Sequence, residues 1–188
     1  MLRKRQVHLD FHTNGTLPVG KNFSKEQFQK TLKAGHVNSI TVFSKCHHGW
    51  SYHPTEANEM HPCLDFDLLG AQLEACKEID VNAPVYISAG FDEKEFLKRP
   101  EWRYVCSPDK ERQKEYENEV HFHLLCFNTG YLDFLCGQIG PRADRGAGVC
   151  IGQRAGVATR QRRRGDCPAD LSDGPARPSL PKSCSDLA

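Results

Sequence analysis

Three stretches of this 188-residue chain alternate apolar and polar side chains at close to the two-residue period of a strand: Val7 to Thr13, Ser39 to Ser44 and Ala83 to Gly90. Helical periods lie between them. Asn14 to Asn22 reads as a loop carrying Gly and Pro. Ser24 is then followed three residues later by Gln27, the pairing of a capping box, with Phe23 and Phe28 placed as a hydrophobic staple. The helix so opened presents Phe28 and Leu32 on one face and stops at Gly35. Asp65 is the expected cap of a second helix, in which Leu69, Gln72, Leu73, Cys76 and Ile79 fall nearly in line. The charged segment from Asp92 to Glu119 predicts a short helix, capped by Asp92, and then a loop or hairpin. Val120 to Phe127 reads as a strand, and Asn128 or Thr129 as the cap of a helix carrying Leu132, Leu135, Cys136 and Ile139.

Strands alternating with helices of this length predict βα units and a parallel sheet. The strand faces then choose between an open sheet and a barrel. Val7, Leu9 and Phe11 oppose His8, Asp10 and His12; Ile40 and Val42 oppose Thr41, Phe43, Lys45 and His47; Val85, Ile87 and Ala89 oppose Tyr86 and Ser88. A doubly wound sheet buries both faces under helices, so its strands are almost continuously apolar. Here one face suits helices and the other is polar, increasingly so toward the C-terminal strand ends. The lumen of a (β/α)8 barrel with a site at its top has that character. The expected fold class is α/β: three to four N-terminal βα units of a (β/α)8 barrel over residues 1–139, followed by a disordered tail over residues 140–188.

Composition sets the tail apart. Residues 1–140 hold 16 basic and 19 acidic groups, whereas residues 141–188 hold nine basic groups, five Asp and no Glu. The net charge of +1 therefore averages two unlike halves and identifies no partner. No Phe, Tyr or Trp follows Phe134. The basic run Arg160 to Arg164 is the sole feature of a nucleic-acid patch. With no aromatic or amphipathic period around it, a solvated, disordered segment explains it better, and no nucleic-acid partner is expected. The swap of Lys for Arg, the loss of Glu and aromatics, and three scattered Cys also fit translation in a shifted reading frame from near Gly140. There is no run of 18 apolar residues to span a membrane and no signal-peptide core behind the basic start. The expectation is a cytoplasmic chain without a membrane partner, its nine Cys present as thiols.

The densest chemistry is Lys45-Cys46-His47-His48-Gly49-Trp50, with Tyr52, His53, His61 and Cys63 in the loop behind it. It follows a predicted strand, where barrel enzymes place ligand-contacting groups. Imidazoles and a lysine can bond sugar hydroxyls, and Trp50 can stack on a sugar ring. His12 at the end of the first strand and Tyr86 on the third would line the same mouth. The plain alternative is that these are loop histidines with local hydrogen bonds. A second alternative is zinc, held by some of Cys46, His47, His53, His61 and Cys63, although no CxxC or HExxH spacing supports it. Asp10 is a possible lumen carboxylate, or an interior acid paired within the sheet.

Several runs together resemble the N-terminal barrel of a family of bacterial glycoside hydrolases described as α-L-fucosidase-like, or as related to β-galactosidases with a trimerisation domain. They are Gln6 to Thr13, Ile40 to Thr55, His61-Pro62, Asp65 to Gln72 and Pro84 to Ser88, and the resemblance covers about residues 5 to 139. Lys45 to Gly49 is similar to the Lys-His-His-acid-Gly sugar-binding segment of α-L-fucosidases, but it inserts Cys46 and lacks the acidic residue. The resemblance implies a carbohydrate substrate bound by His12, Lys45, His47 and His48, with Trp50 and Tyr86 beside them, and it implies no cofactor. Such chemistry needs two carboxyl groups flanking the glycosidic bond. The family's nucleophile ends the fourth strand, whereas this chain continues after Ile139 with Gly140-Pro141-Arg142-Ala143-Asp144 and no apolar strand ending in a carboxylate is expected there. No catalytic residue is therefore assigned.

The reading that follows is an N-terminal enzyme fragment, inactive alone, with open sheet edges through which it would associate or aggregate. The competing reading is a complete small α/β module that binds a carbohydrate or zinc through the histidine-rich loop 46–63.

Overall fold

A computed structural model of the chain describes residues 3–143 and 149–152. Four parallel strands form one sheet in chain order: β1 (Gln6–His8), β2 (Ser39–Lys45), β3 (Val85–Ser88) and β4 (Val149–Gly152). Helix α1 (Lys25–Ala34) joins β1 to β2, and α2 (Leu68–Glu78) joins β2 to β3. The connection from β3 to β4 carries α3 (Glu93–Lys98), a 3-10 turn (Pro100–Trp102), α4 (Lys110–Glu119) and α5 (Tyr131–Ala143). Strands laid side by side in chain order, each reached through helical crossovers, are successive βα units of the expected kind.

The local signals act as expected in α1. Ser24 caps it, its Oγ accepting from the Gln27 amide at 3.2 Å, and Phe23 lies against Phe28 with ring centroids 5.7 Å apart. Gly35 ends it by donating its amide to the Thr31 carbonyl. In α2 the cap is Asp67 instead of Asp65: the Asp67 Oδ1 accepts from the Gly70 amide at 2.7 Å, while Asp65 is exposed. The buried run Leu68, Leu69, Gln72 and Cys76 starts directly after Asp67, which fixes where the helix must begin.

Both helices pack on one side of the sheet. Leu32, Leu69, Cys76 and Val81 close over Ile40, Val42 and Val85, and Leu135 of α5 closes over Ile87 and Ala89. The opposite face is not uniformly polar. Phe43 and Tyr86 meet there with centroids 4.3 Å apart, and His8 meets both edge-on.

Two expectations are corrected. First, β1 is only three residues long, because the Asp10 amide turns back to the His8 carbonyl at 3.0 Å. Beyond that turn Leu9 joins the helix side, whereas Phe11 crosses to Phe43 and Tyr52. Second, the charged segment forms α4, because Asp109 caps it through the amides of Glu111 and Arg112. Val120 to Phe127 is not a strand; it makes single antiparallel bridges, Phe91 with Leu124 and Arg103 with Leu125, and seats Leu125 against Phe96 and Tyr131. Helix α5 runs to Ala143, and β4 pairs with β3 from Val85–Val149 to Ser88–Gly152. A strand therefore does form in the fourth position, but its sequence, Val149-Cys150-Ile151-Gly152, contains no acidic residue. The remaining tail, including Arg160 to Arg164, lies outside the described residues. Among the described residues no helix is long and apolar enough to cross a membrane.

Candidate functional site

The site forms at the C-terminal ends of the first three strands. The β2 strand carries an irregularity at its exit: Phe43 pairs with Tyr86 but Lys45 pairs with Ile87, leaving Ser44 as an extra residue. Such a bulge re-aims the side chains beyond it. A tight turn follows, Cys46-His47-His48-Gly49, closed by the Gly49 amide donating to the Cys46 carbonyl at 3.1 Å. Gly49 has φ 91°, which side-chain-bearing residues rarely adopt, and a Cβ there would stand 2.2 Å from Asp92 Oδ1.

His12 and His47 stack with centroids 4.0 Å apart and planes 20° from parallel. Their hydrogen bonds fix both tautomers. The His47 amide donates to His12 Nδ1 at 3.2 Å, so the His12 proton sits on Nε2, which faces Asp10 Oδ1 at 3.0 Å. Ser88 Oγ donates to the Phe91 carbonyl at 2.7 Å, so it accepts from His47 Nδ1, also at 2.7 Å. Burial pushes the His12 imidazole below its ordinary value more than Asp10 raises it, and burial likewise lowers His48 against the pull of Glu93. Neutral rings of this kind can both give and take a hydrogen bond.

Tyr86 lies edge-on to His12 and His47, each at 6.3 Å. Phe122 covers the group, with its ring 6.1 Å from His12, 5.0 Å from His47 and 5.1 Å from His48. Phe91 adds an edge contact to His47 at 5.0 Å. Phe122 and Phe91 were not singled out from the sequence. Phe122 falls in the segment read as a strand and Phe91 just past the third strand, and only the fold brings them to the histidines.

Four of the six expected residues thus gather in one half-buried patch: His12, His47, His48 and Tyr86. Lys45 is corrected. It has no exposed surface, and its Nζ bonds Asp92 Oδ2 at 2.7 Å below the turn, near the Tyr131 hydroxyl at 3.4 Å. Trp50 is used differently again: Lys94 Nζ stands 5.5 Å over its ring, and Gly15 packs close to the indole. Asp10 is neither an interior acid nor enclosed, since 63% of its side chain is exposed.

The rest of the histidine-rich loop organises itself locally. His53 bonds Ser44 Oγ and the Pro54 carbonyl. His61 Nε2 donates to the Asn14 carbonyl at 2.8 Å while its Nδ1 accepts from the Cys63 amide, and burial holds its imidazole low. The Cys46 and Cys63 thiols point to the Thr13 and Gly15 carbonyls. Among the described residues, no three His, Cys, Asp or Glu side chains converge in a way that could hold a metal ion. That arrangement does not fit the zinc alternative.

A patch of hydrogen-bonding imidazoles framed by aromatic rings suits a polyhydroxylated ligand with an apolar face. The α-L-fucosidase isoenzyme 2 from Paenibacillus thiaminolyticus is 48% identical, with a TM-score of 0.74, over 81% of this chain and 24% of that one. An α-L-fucosidase from Bacteroides thetaiotaomicron is 19% identical, with a TM-score of 0.45, over 65% of this chain and 24% of its own. The Thermotoga maritima α-L-fucosynthase is 17% identical, with a TM-score of 0.48, over 70% of this chain and 28% of its own. The chain therefore spans about a quarter of the length of the Paenibacillus enzyme. No curated protein matches it. The family model of hypothetical glycosyl hydrolase 6 matches residues 24–142, most of the described chain, and the chain belongs to that glycosyl hydrolase family.

Proposed function

We propose that this chain is the N-terminal sugar-binding part of an α-L-fucosidase-like glycoside hydrolase. It would supply the first βα units of a (β/α)8 barrel from residues 1–139, with a tail over 140–188 read out of frame. The observation that carries the reading is the His12–His47 stack under Phe122 at the ends of consecutive parallel strands, in a chain 48% identical to an α-L-fucosidase. His12, His47, His48 and Tyr86 would contact the sugar. Lys45 would act from beneath the turn and Trp50 from its far side.

Hydrolysis needs a carboxylate pair about the scissile bond, some 5–5.5 Å apart for retention or 6.5–9.5 Å for inversion. Within the candidate patch the nearest acid in sequence is the exposed Asp10, and β4 ends without one. The chain alone is therefore a binder. An aryl α-L-fucoside incubated with it should release no aryl alcohol above the buffer rate, whereas the gene read in a single frame past codon 140 should encode an active enzyme. Turnover by the 188-residue chain itself, abolished by His47→Ala, would sink the proposal that its catalytic carboxylates are missing.

A further inference from the structure

The His47–His48 turn is held from below by three consecutive residues. The amides of Glu93 and Lys94 donate to the His47 carbonyl at 3.0 Å and the His48 carbonyl at 3.3 Å. Two donors that a helix start ordinarily leaves without partners are thereby used to grip the turn. Asp92 supplies the third tie: its Oδ1 accepts from the Glu95 amide at 3.0 Å, and its Oδ2 accepts from Lys45 Nζ at 2.7 Å. One fully buried carboxylate therefore joins the end of β2 to the start of α3, with the turn between them.

The same three residues reach the rim of the patch. The Glu93 carboxylate accepts from the His123 amide and from His123 Nδ1, which seats the neighbouring Phe122 over His47 and His48. Lys94 Nζ donates to Asn58 Oδ1 at 2.8 Å, and Asn58 Nδ2 donates to the Gly49 carbonyl at 2.9 Å. Gly49 itself lies so close to Asp92 that no Cβ fits between them.

We propose that Asp92 is the positioning residue of the histidine patch: through Lys45 and the first turn of α3 it sets the His47–His48 turn without touching a ligand. The role as part of a sugar site rests on the function proposed above; the positioning itself does not. Asp92 has no exposed surface, so it acts only through what it holds.

Amide hydrogen exchange and histidine-selective NMR on the full chain test this. In the wild type, the Glu93 and Lys94 amides should be protected; if they exchange freely in a folded chain, the proposal is overturned before any variant is made. In Lys45→Met/Asp92→Asn no buried charge is left alone, and asparagine still caps α3. There, exchange at Glu93 and Lys94 should quicken by about tenfold, the scale of one lost hydrogen bond. The His47 Nδ1 proton signal should shift or vanish, while Val42 and Leu69 keep their protection. Unchanged His47 and His48 signals in the folded double variant would overturn the proposal; if the double variant does not fold, Asp92→Glu, which keeps the charge pair but displaces the carboxylate, is read in the same way. An L-fucose titration of the wild type is run alongside. If no binding is seen, the sugar reading fails, and the exchange data still decide the positioning.

Discussion

Lys45 Nζ lies 2.7 Å from Asp92 Oδ2, and neither side chain has any exposed surface. Two charges out of water are tolerable only together, because removing either partner leaves the other buried and uncompensated. Breaking such a pair costs about 3–5 kcal/mol, while replacing both by neutral groups of similar size is nearly neutral. Asp92→Ala should therefore unfold the chain or lower its denaturation midpoint sharply, and Lys45→Met/Asp92→Asn should recover most of the loss. Urea melts followed by circular dichroism would show this. Equal damage from the single and double variants would mean that the pair is not the source.

Gly49→Ala meets two obstacles at once. The backbone sits at φ 91°, and the new Cβ would fall 2.2 Å from Asp92 Oδ1. The carboxylate cannot swing away without losing Lys45 and the Glu95 amide. A loss of about 1–3 kcal/mol is expected from the backbone alone, larger than for Gly137→Ala in α5, where nothing lies within 4 Å of the added carbon. Paired denaturation curves of the two variants compare them directly.

Acid should weaken the fold well above the carboxylate range. His12, His48 and His61 are each held below 6.5 chiefly by burial, so the folded chain takes up their protons at lower pH than the unfolded chain does. Between those lowered values and 6.5 the unfolded state binds more protons, and stability rises with pH across that window and falls as pH drops through it. Protonating His12 also removes the Nδ1 acceptor for the His47 amide. Melting temperatures recorded from about pH 7.5 down to 5 should fall. A flat profile would contradict the buried, neutral histidines.

The cysteines report on packing. Cys63 and Cys136 are exposed thiols, whereas Cys46 and Cys76 are buried and burial pushes the Cys76 thiol up to about 11. Maleimide labelling of the native chain, mapped by mass spectrometry, should modify Cys63 and Cys136 first and reach Cys46 and Cys76 only after denaturation. Fast native labelling of Cys76 would mean that the α2 core is open.

All three residues of β1 are exposed, and among the described residues β1 is paired only with β2. An uncovered edge strand is a template for association. Light scattering should show concentration-dependent oligomers and a broad melt. A monomer that melts cooperatively near 50 °C or above, within the range of ordinary domains, would contradict association through that edge.

Much of this was legible in the chain. The α1 cap at Ser24, strand β2, and the gathering of His12 and His47 beyond their strands with Tyr86 on the next all follow from spacing, because alternation and capping are local. What escaped was non-local or depended on one residue of register. The return of the Asp10 amide to His8 sends Phe11 to the opposite face. The extra Ser44 turns Lys45 from the expected lumen row toward Asp92. Phe122 reaches the histidines only because Glu93 holds His123, 30 residues away in sequence. Asp67, two residues beyond the expected cap, was chosen by where the apolar run begins.

The central claim is that His12, His47 and His48 form one monosaccharide subsite. Histidine and amide NMR spectra recorded during an L-fucose titration test it most directly. The account predicts saturable shifts that map to His12, His47, His48, Tyr86 and Phe122 and that are lost in His47→Ala. Spectra unchanged at saturating sugar, or shifts confined to residues away from that patch, would contradict it.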